Sequence, residues 1–280
     1  MKSKKIGLAL SGGGARGLAH IGVLKVLEKA GIPISLVAGT SMGGLIAVAY
    51  AAGFSIAEME ERALRFSHLK ELMKLIDLTP QRRGLLEGQK VRNYISDWLG
   101  DHLSFDDLLM PTTLTAVDLI SGKEVLLSSG PILPAVFATI AIPGIFKPVI
   151  DGGQLLVDGG VLDNLPVMPV QKMGANFVIA VDVHLYPQNY RHDNHPSRRH
   201  HWPIPLPEFF NDFYLSELIM IGELTRHNLE GAIPDIIIEP AIPPEISMLF
   251  GFHRAEEVIH AGEVATNEKL GEIITLIKSL

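Results

Sequence analysis

The segment "SGGGARGLAHIGVLKVLEKAG" spans residues 11–31 and decides how the rest of the chain is read. Three glycines follow the apolar run Ile6–Leu10 and precede apolar residues at helical spacing (Leu18, Ile21, Val23, Leu24, Leu27), which stop at Gly31. Strand, glycine turn and helix in this order present backbone N–H groups to an anion. Gly12, Gly14 and Gly17 satisfy G-x-G-x-x-G, the dinucleotide fingerprint. That fingerprint also needs an acidic residue near the end of the second strand to hold a ribose. The second strand, "ISLVAG", has none, and Glu28 lies inside the preceding helix. A P-loop needs Gly-Lys-Ser/Thr to close the glycine run, and this run closes on Arg-Gly-Leu.

Where the acid is missing, "VAGTSMGGL" appears. Gly39-Thr40-Ser41-Met42-Gly43 is G-x-S-x-G between a strand and a helix, the setting of a nucleophile elbow. Gly39 and Gly43 are required there because a Cβ at either position would collide with backbone. In a parallel sheet, successive strands place their C-terminal loops on one rim. The Gly12–Gly14 loop is thereby expected beside Ser41, its N–H groups positioned for the oxyanion formed when a serine attacks an ester.

A serine nucleophile needs a proton acceptor. Two "DGG" strings offer one, at Asp151 and Asp158. Asp151 sits between two short apolar runs and reads as a hairpin-turn residue. Asp158 ends a strand and opens an irregular segment, the better place for a base facing a cleft. A Ser-Asp-His triad stays open, with His184 after a strong strand as its histidine. A dyad predicts no essential group titrating near 6.5, whereas a triad predicts one. His20 is expected to pack or cap locally. His192, His195, His200 and His201 lack carboxylate partners at ligand spacing and read as a solvated loop, so no metal is expected.

Composition is that of an ordinary globular protein, ample for a sizeable core. The 280 residues are 47% hydrophobic and 20% charged, with formal net charge −7 and no cysteine. The negative charge speaks against a nucleic-acid partner, and the lack of cysteine excludes disulfides and thiol chemistry. The apolar start Ile6–Leu10 is shorter than the roughly 7–15 residues of a signal core, and no stretch approaches the ~20 apolar residues of a membrane span. The expectation is a cytoplasmic protein able to touch a membrane peripherally.

Further strands are expected at Ile34–Ala38, Thr112–Asp118, Glu124–Leu127, Phe146–Ile150, Gln154–Val157, Asn176–Val183 and Asp235–Glu239. Helices are expected at Met42–Ala52, from Ser55 to about Ile76 behind a Ser55/Glu58 capping box, at Gln89–Leu99, Pro131–Thr139, and Arg254–Lys278. Strands alternating with helices give an α/β fold with a mainly parallel sheet covered on both faces. No repeat or linker divides the chain, so 1–280 reads as one domain. Residues 186–231 are a candidate lid or access segment. Within them "LPEFFNDFYLSELIMIGELTRHNL" reads as a helix whose apolar stripe (Phe210, Phe213, Tyr214, Leu218, Ile221, Leu224) is broadened by Phe209, Ile219 and Met220. A core helix is the default for such a stripe; a lid, a lipid-facing patch or an oligomer contact is the alternative.

Four ordered strings, "GGGARGLAHIGVL", "GTSMGG", "ATIAIPGIFKPV" and "LLVDGGVLDNLPV", resemble the patatin-like phospholipases of the bacterial single-domain type. The similarity runs over roughly Lys5–Val183. It implies a three-layer α/β/α fold and a Ser-Asp dyad without histidine. Ser41 would be the nucleophile and Asp158 the base, with Gly12, Gly13, Gly14 and Arg16 at the oxyanion hole. It implies hydrolysis of a lipid or other acyl ester without a cofactor. A binding or regulatory protein that keeps the fold without its chemistry remains the alternative of a different class.

Overall fold

The structure is a computed structural model and describes residues 4–65, 88–186, 208–248 and 251–279, excepting the side chains of residues 208–211. Eight strands form one sheet: β1 (Ile6–Leu10), β2 (Ile34–Gly39), β3 (Thr112–Asp118), β4 (Lys123–Leu127), β5 (Val149–Asp151), β6 (Gln154–Asp158), β7 (Phe177–Val181) and β8 (Ile236–Ile238). The helices are α1 (Ala19–Lys29), α2 (Met42–Ala51), α3 (Ile56–Arg65), α4 (Gln89–Leu99), α5 (Ile132–Thr139), α6 (Val167–Lys172), α7 (Glu208–Gly231) and α8 (Ala255–Ser279). The helix expected from Ala15 begins only at Ala19, and Gly14–Leu18 form a tighter 3-10 turn before it. The Ser55–Glu58 capping box forms, with the Ser55 N–H donating to Glu58 at 2.8 Å. The expected continuation of α3 to about Ile76 lies outside the described residues. Helix α6 was not expected: its six residues carry too little periodicity to register in the sequence.

The strands β3, β2, β1, β7 and β8 run parallel in that spatial order. Alternation sorts their side chains. Ile6, Leu8, Leu10, Phe177, Ile179 and Val181 pack into the larger core beneath α1, α2 and α8. Ala9, Leu36, Ala38, Val178 and Ala180 face the thinner layer under α6 and the end of α7. Burial on both faces explains why these strands read as unbroken apolar runs. Helices α1 and α8 cross at Gly22 and Gly262, where each glycine lies against a carbonyl of the other helix, Ile259 and Ala19 respectively.

The other three strands run antiparallel to their neighbours, and their register positions the site. Leu114 of β3 pairs with Gly39 of β2 and with Leu127 of β4, while Ala116 pairs with Asp158 of β6 and with Val125 of β4. A strand has two edges, and β4 occupies one of them along residues 114–118. Strands β2 and β6 therefore share the other edge. Strand β2 runs parallel to β3 and ends opposite Leu114. Strand β6 runs the opposite way and ends opposite Ala116. The two strands meet end to end, with only Thr115 of β3 between them.

Candidate active site

Ser41 follows the end of β2, and Asp158 is the last residue of β6, so the head-on meeting of these strands brings the two together. Ser41 and Asp158 line the same cleft, and the Ser41 hydroxyl is near enough to the Asp158 carboxyl to favour its ionised form. Ser41 is the one described non-glycine residue with positive φ (54°). That backbone region is strained for a residue with a Cβ, and it arises because the chain turns directly from β2 into α2. The turn closes only over glycines: a Cβ on Gly39 would meet the backbone of Gly43, and one on Gly43 would meet the carbonyls of Leu10 and Ser11. The Ser41 N–H donates to Thr139 Oγ1 at 2.9 Å. One residue earlier, Thr40 Oγ1 lies 2.7 Å from Thr115 Oγ1 and donates to the Asp163 carbonyl at 2.9 Å. The elbow is thus fixed to β3, to the end of α5 and to the chain after Asp158.

Asp158 is 5% exposed. Its N–H donates to the Ala141 carbonyl at 3.0 Å, and its Oδ1 accepts the Gly160 N–H at 2.8 Å. Burial pushes the carboxyl up from 3.8 to about 7, against the opposing effect of the nearby Ser41 hydroxyl and of the Gly160 N–H. A carboxylate is a weak base in water; this one is poised near neutrality, where proton transfer in both directions is accessible. The expectation that a dyad shows no group titrating in the histidine range is therefore corrected, because Asp158 itself titrates there. Asp151 lies exposed in the β5–β6 hairpin, in keeping with a turn role.

The glycine loop lies at the end of β1, on the same rim. Gly12, Gly13, Arg16, Ser41 and Asp158 line one cleft, together with Asn164, His184, Glu217 and Met248 among others. The loop's N–H groups are not equivalent. Gly12 donates to the Asn164 carbonyl at 3.0 Å, Ala15 to the Met248 carbonyl at 3.3 Å and Arg16 to the Gly13 carbonyl at 3.1 Å. The N–H groups of Gly13 and Gly14 have no hydrogen-bond partner among the described residues. Gly14 has φ +54°, and a Cβ there would strike the Met248 carbonyl. Only glycine allows residue 248 to close over this loop.

The Arg16 side chain turns away from the loop's N–H groups. Its Nε donates to the Val183 carbonyl at 2.7 Å, and Nη1 reaches the carbonyls of Pro243 and Ile246 at 3.2 and 3.1 Å. The buried guanidinium ties the segment after β7 to residues 242–246, which carry Met248 to the cleft. Burial lowers the pKa of His20 to about 4, and its Nε2 lies 2.8 Å from the Ser11 carbonyl. This neutral ring braces the end of β1, as local packing would have it. His184 lines the cleft, yet its Nε2 lies 2.9 Å from the Leu218 carbonyl, and burial lowers its pKa. The loop histidines at 192, 195, 200 and 201 lie outside the described residues.

Sequence reasoning missed several supporting groups. Thr139, Thr115 and the Asn164 carbonyl act through contacts between segments distant along the chain, which leave no local pattern. Asp163 is a second buried carboxyl behind the elbow, also pushed up to about 7, chiefly by burial. On α7, Tyr214, Leu218 and Ile221 are buried, whereas Phe213, Ile219 and Met220 are more than half exposed. The apolar stripe is narrower than its composition suggests. No helix among the described residues is long and apolar enough to cross a membrane.

The strand–elbow–helix unit, the glycine loop and the buried aspartate thus lie on one rim. The patatin-like phospholipase family matches residues 8–170, and the chain belongs to that family. An uncharacterized NTE family protein of Mycobacterium tuberculosis is 36% identical over 200 residues, covering 71% of this chain and 55% of that protein. Lysophospholipase NTE1 of Debaryomyces hansenii is 34% identical over 185 residues, covering 65% of this chain and 12% of that protein. The chain thus spans about half the length of the first of these relatives and a small part of the second. Among solved structures, VipD from Legionella pneumophila superposes with TM-score 0.53 at 13% identity, covering 96% of this chain and 67% of that one. That likeness concerns the fold, which is the expected three-layer α/β/α arrangement.

Proposed function

We propose that the chain is a lipid acyl hydrolase that cleaves carboxylic esters of fatty acids through an acyl-serine intermediate, using Ser41 and Asp158 without histidine. The observation that carries this reading is the convergence of Ser41, buried Asp158 and the glycine loop on one cleft. Ser41 Oγ attacks the ester carbonyl carbon while Asp158 takes its proton. The oxyanion is held by the N–H groups of Gly13 and Gly14, the two left unused by the loop. Such preorganised donors are each worth about 3 kcal/mol in the transition state. The intermediate collapses, the bond to the leaving alcohol breaks, and Asp158 protonates the departing oxygen. Water, giving its proton to Asp158, then attacks the acyl group on Ser41. The fatty acid leaves, and the proton returns to Ser41.

His184 is disfavoured as the base because its ring is held by the Leu218 carbonyl and no hydrogen bond joins it to Ser41 among the described residues. Relatives titled lysophospholipases make lysophospholipids the first natural substrates to assay, beside p-nitrophenyl esters of graded chain length. A fluorophosphonate probe is expected to label Ser41 in the wild type and to leave Ser41→Ala unlabelled. Asp158→Asn is expected to lose ester hydrolysis. Full hydrolysis by Asp158→Asn would remove the dyad; undiminished labelling of Ser41→Ala would remove the nucleophile.

A further inference from the structure

Glu217 is a carboxylate that the mechanism above does not use. It stands on α7 between Tyr214 and Leu218 and lines the same cleft as Ser41 and Asp158. It is partly buried, and no hydrogen bond or ion pair holds it among the described residues. It lies close enough to Asp158 for its negative charge to bear on that carboxyl. Among the described titratable groups lining the cleft, Arg16 is the cationic one, and its guanidinium points at the carbonyls of Val183, Pro243 and Ile246. His184 is held toward its neutral form by burial, and the Tyr214 phenol is likewise kept neutral. The described wall of the cleft thus carries two carboxyl groups, Asp158 and Glu217, both raised by burial, and one guanidinium whose N–H groups are turned to backbone carbonyls.

The chemistry sets where this charge acts. Asp158 must deliver its proton to the departing oxygen, so the alcohol half of the ester lies on the Asp158 side of the cleft, within the field of Glu217. We propose that Glu217 reads the charge of the leaving alcohol, favouring acyl esters whose alcohol carries an ammonium group and turning away those whose alcohol is anionic. This inference rests on the acyl-hydrolase reading. A unit charge several ångströms from a partly buried carboxylate is worth on the order of tenfold in selectivity.

The test compares kcat/KM for three hexanoate esters of similar size. These are hexanoylcholine, its uncharged isostere 3,3-dimethylbutyl hexanoate, and the anionic 3-sulfopropyl hexanoate. The wild type is expected to prefer the cationic over the neutral ester by about tenfold, and the neutral over the anionic ester by a similar factor. Glu217→Gln is expected to bring both ratios near one, and Glu217→Lys to invert them, which a purely structural role would not do. Fluorophosphonate labelling of Ser41 in each variant verifies an intact site. Equal kcat/KM for all three esters in the wild type, or ratios unchanged in both variants, overturns this inference alone. Hydrolysis of none of the three by the wild type overturns the acyl-hydrolase reading, and this inference with it.

Discussion

Replacing Asp158 with Asn removes the buried ionisable group on which the proposed chemistry rests, and the effect on stability can be worked out beforehand. The carboxyl is raised from 3.8 to about 7 in the folded chain. Between those values the folded state holds a proton that the unfolded state has released. The site's contribution to stability is therefore fully present below about pH 4 and is lost as the pH rises toward 7. At about 1.4 kcal/mol per pH unit, the loss is about 4 kcal/mol by pH 8 and about 1–2 kcal/mol at pH 5. Asparagine cannot ionise, and its side-chain oxygen can still accept the Gly160 N–H. Packing changes that do not depend on pH cancel when the two pH values are compared, as does the titration of Asp163, common to both proteins. Asp158→Asn is thus expected to gain about 2–3 kcal/mol relative to wild type on going from pH 5 to pH 8, while losing hydrolysis. Urea unfolding followed by tryptophan fluorescence measures this, since Trp98 is buried and reports on the fold. A stability difference that is the same at both pH values would refute the argument that burial sets the protonation of Asp158.

The rate of ester hydrolysis is expected to fall with unit slope below about pH 7, as the base becomes protonated. The temperature dependence of that limb assigns it: carboxyl ionisation has little enthalpy and imidazole ionisation has much, so a strongly shifting limb would point to a histidine. Ser41→Gly and Ser41→Ala are both expected to be inactive. The glycine variant should be the more stable by about 1 kcal/mol, because only alanine keeps a Cβ at φ 54°; equal unfolding midpoints would count against strain at the elbow. Arg16→Met is expected to destabilise the fold by about 3 kcal/mol in urea, since several buried carbonyls lose their donor. A change within a few tenths of a kcal/mol would show that the guanidinium does not clamp residues 242–246.

The sequence was legible wherever a function needs a local backbone shape. Gly39 and Gly43 announce the elbow around Ser41 because a Cβ at either would strike backbone where a strand turns directly into a helix. The loop at Gly12–Gly14 is legible for the same reason, and the missing acid on β2 already separates it from a dinucleotide site. Asp158 could be told from Asp151 because one ends a strand at an irregular segment and the other fills a hairpin. The helix α6 and the 3-10 turn before α1 were not legible, since a few residues carry too little periodicity to distinguish them.

Contacts between distant segments were decided by the tertiary structure alone. Nothing local in "QLLVDGG" says that β6 takes the same edge of β3 as β2 and stops one residue of β3 short of it, although that register unites Ser41 with Asp158. Nothing local says that Gly12 would give its N–H to Asn164 and leave Gly13 and Gly14 free, or that Arg16 would serve as a clamp. The pKa of Asp158 also belongs to the fold, because burial is a property of everything packed around a residue. The sequence by itself determined which groups could react and what backbone shapes hold them. Their pairing, their protonation and the charge of the cleft came only with packing, where hydrogen bonding and desolvation depend on neighbours far away in the chain.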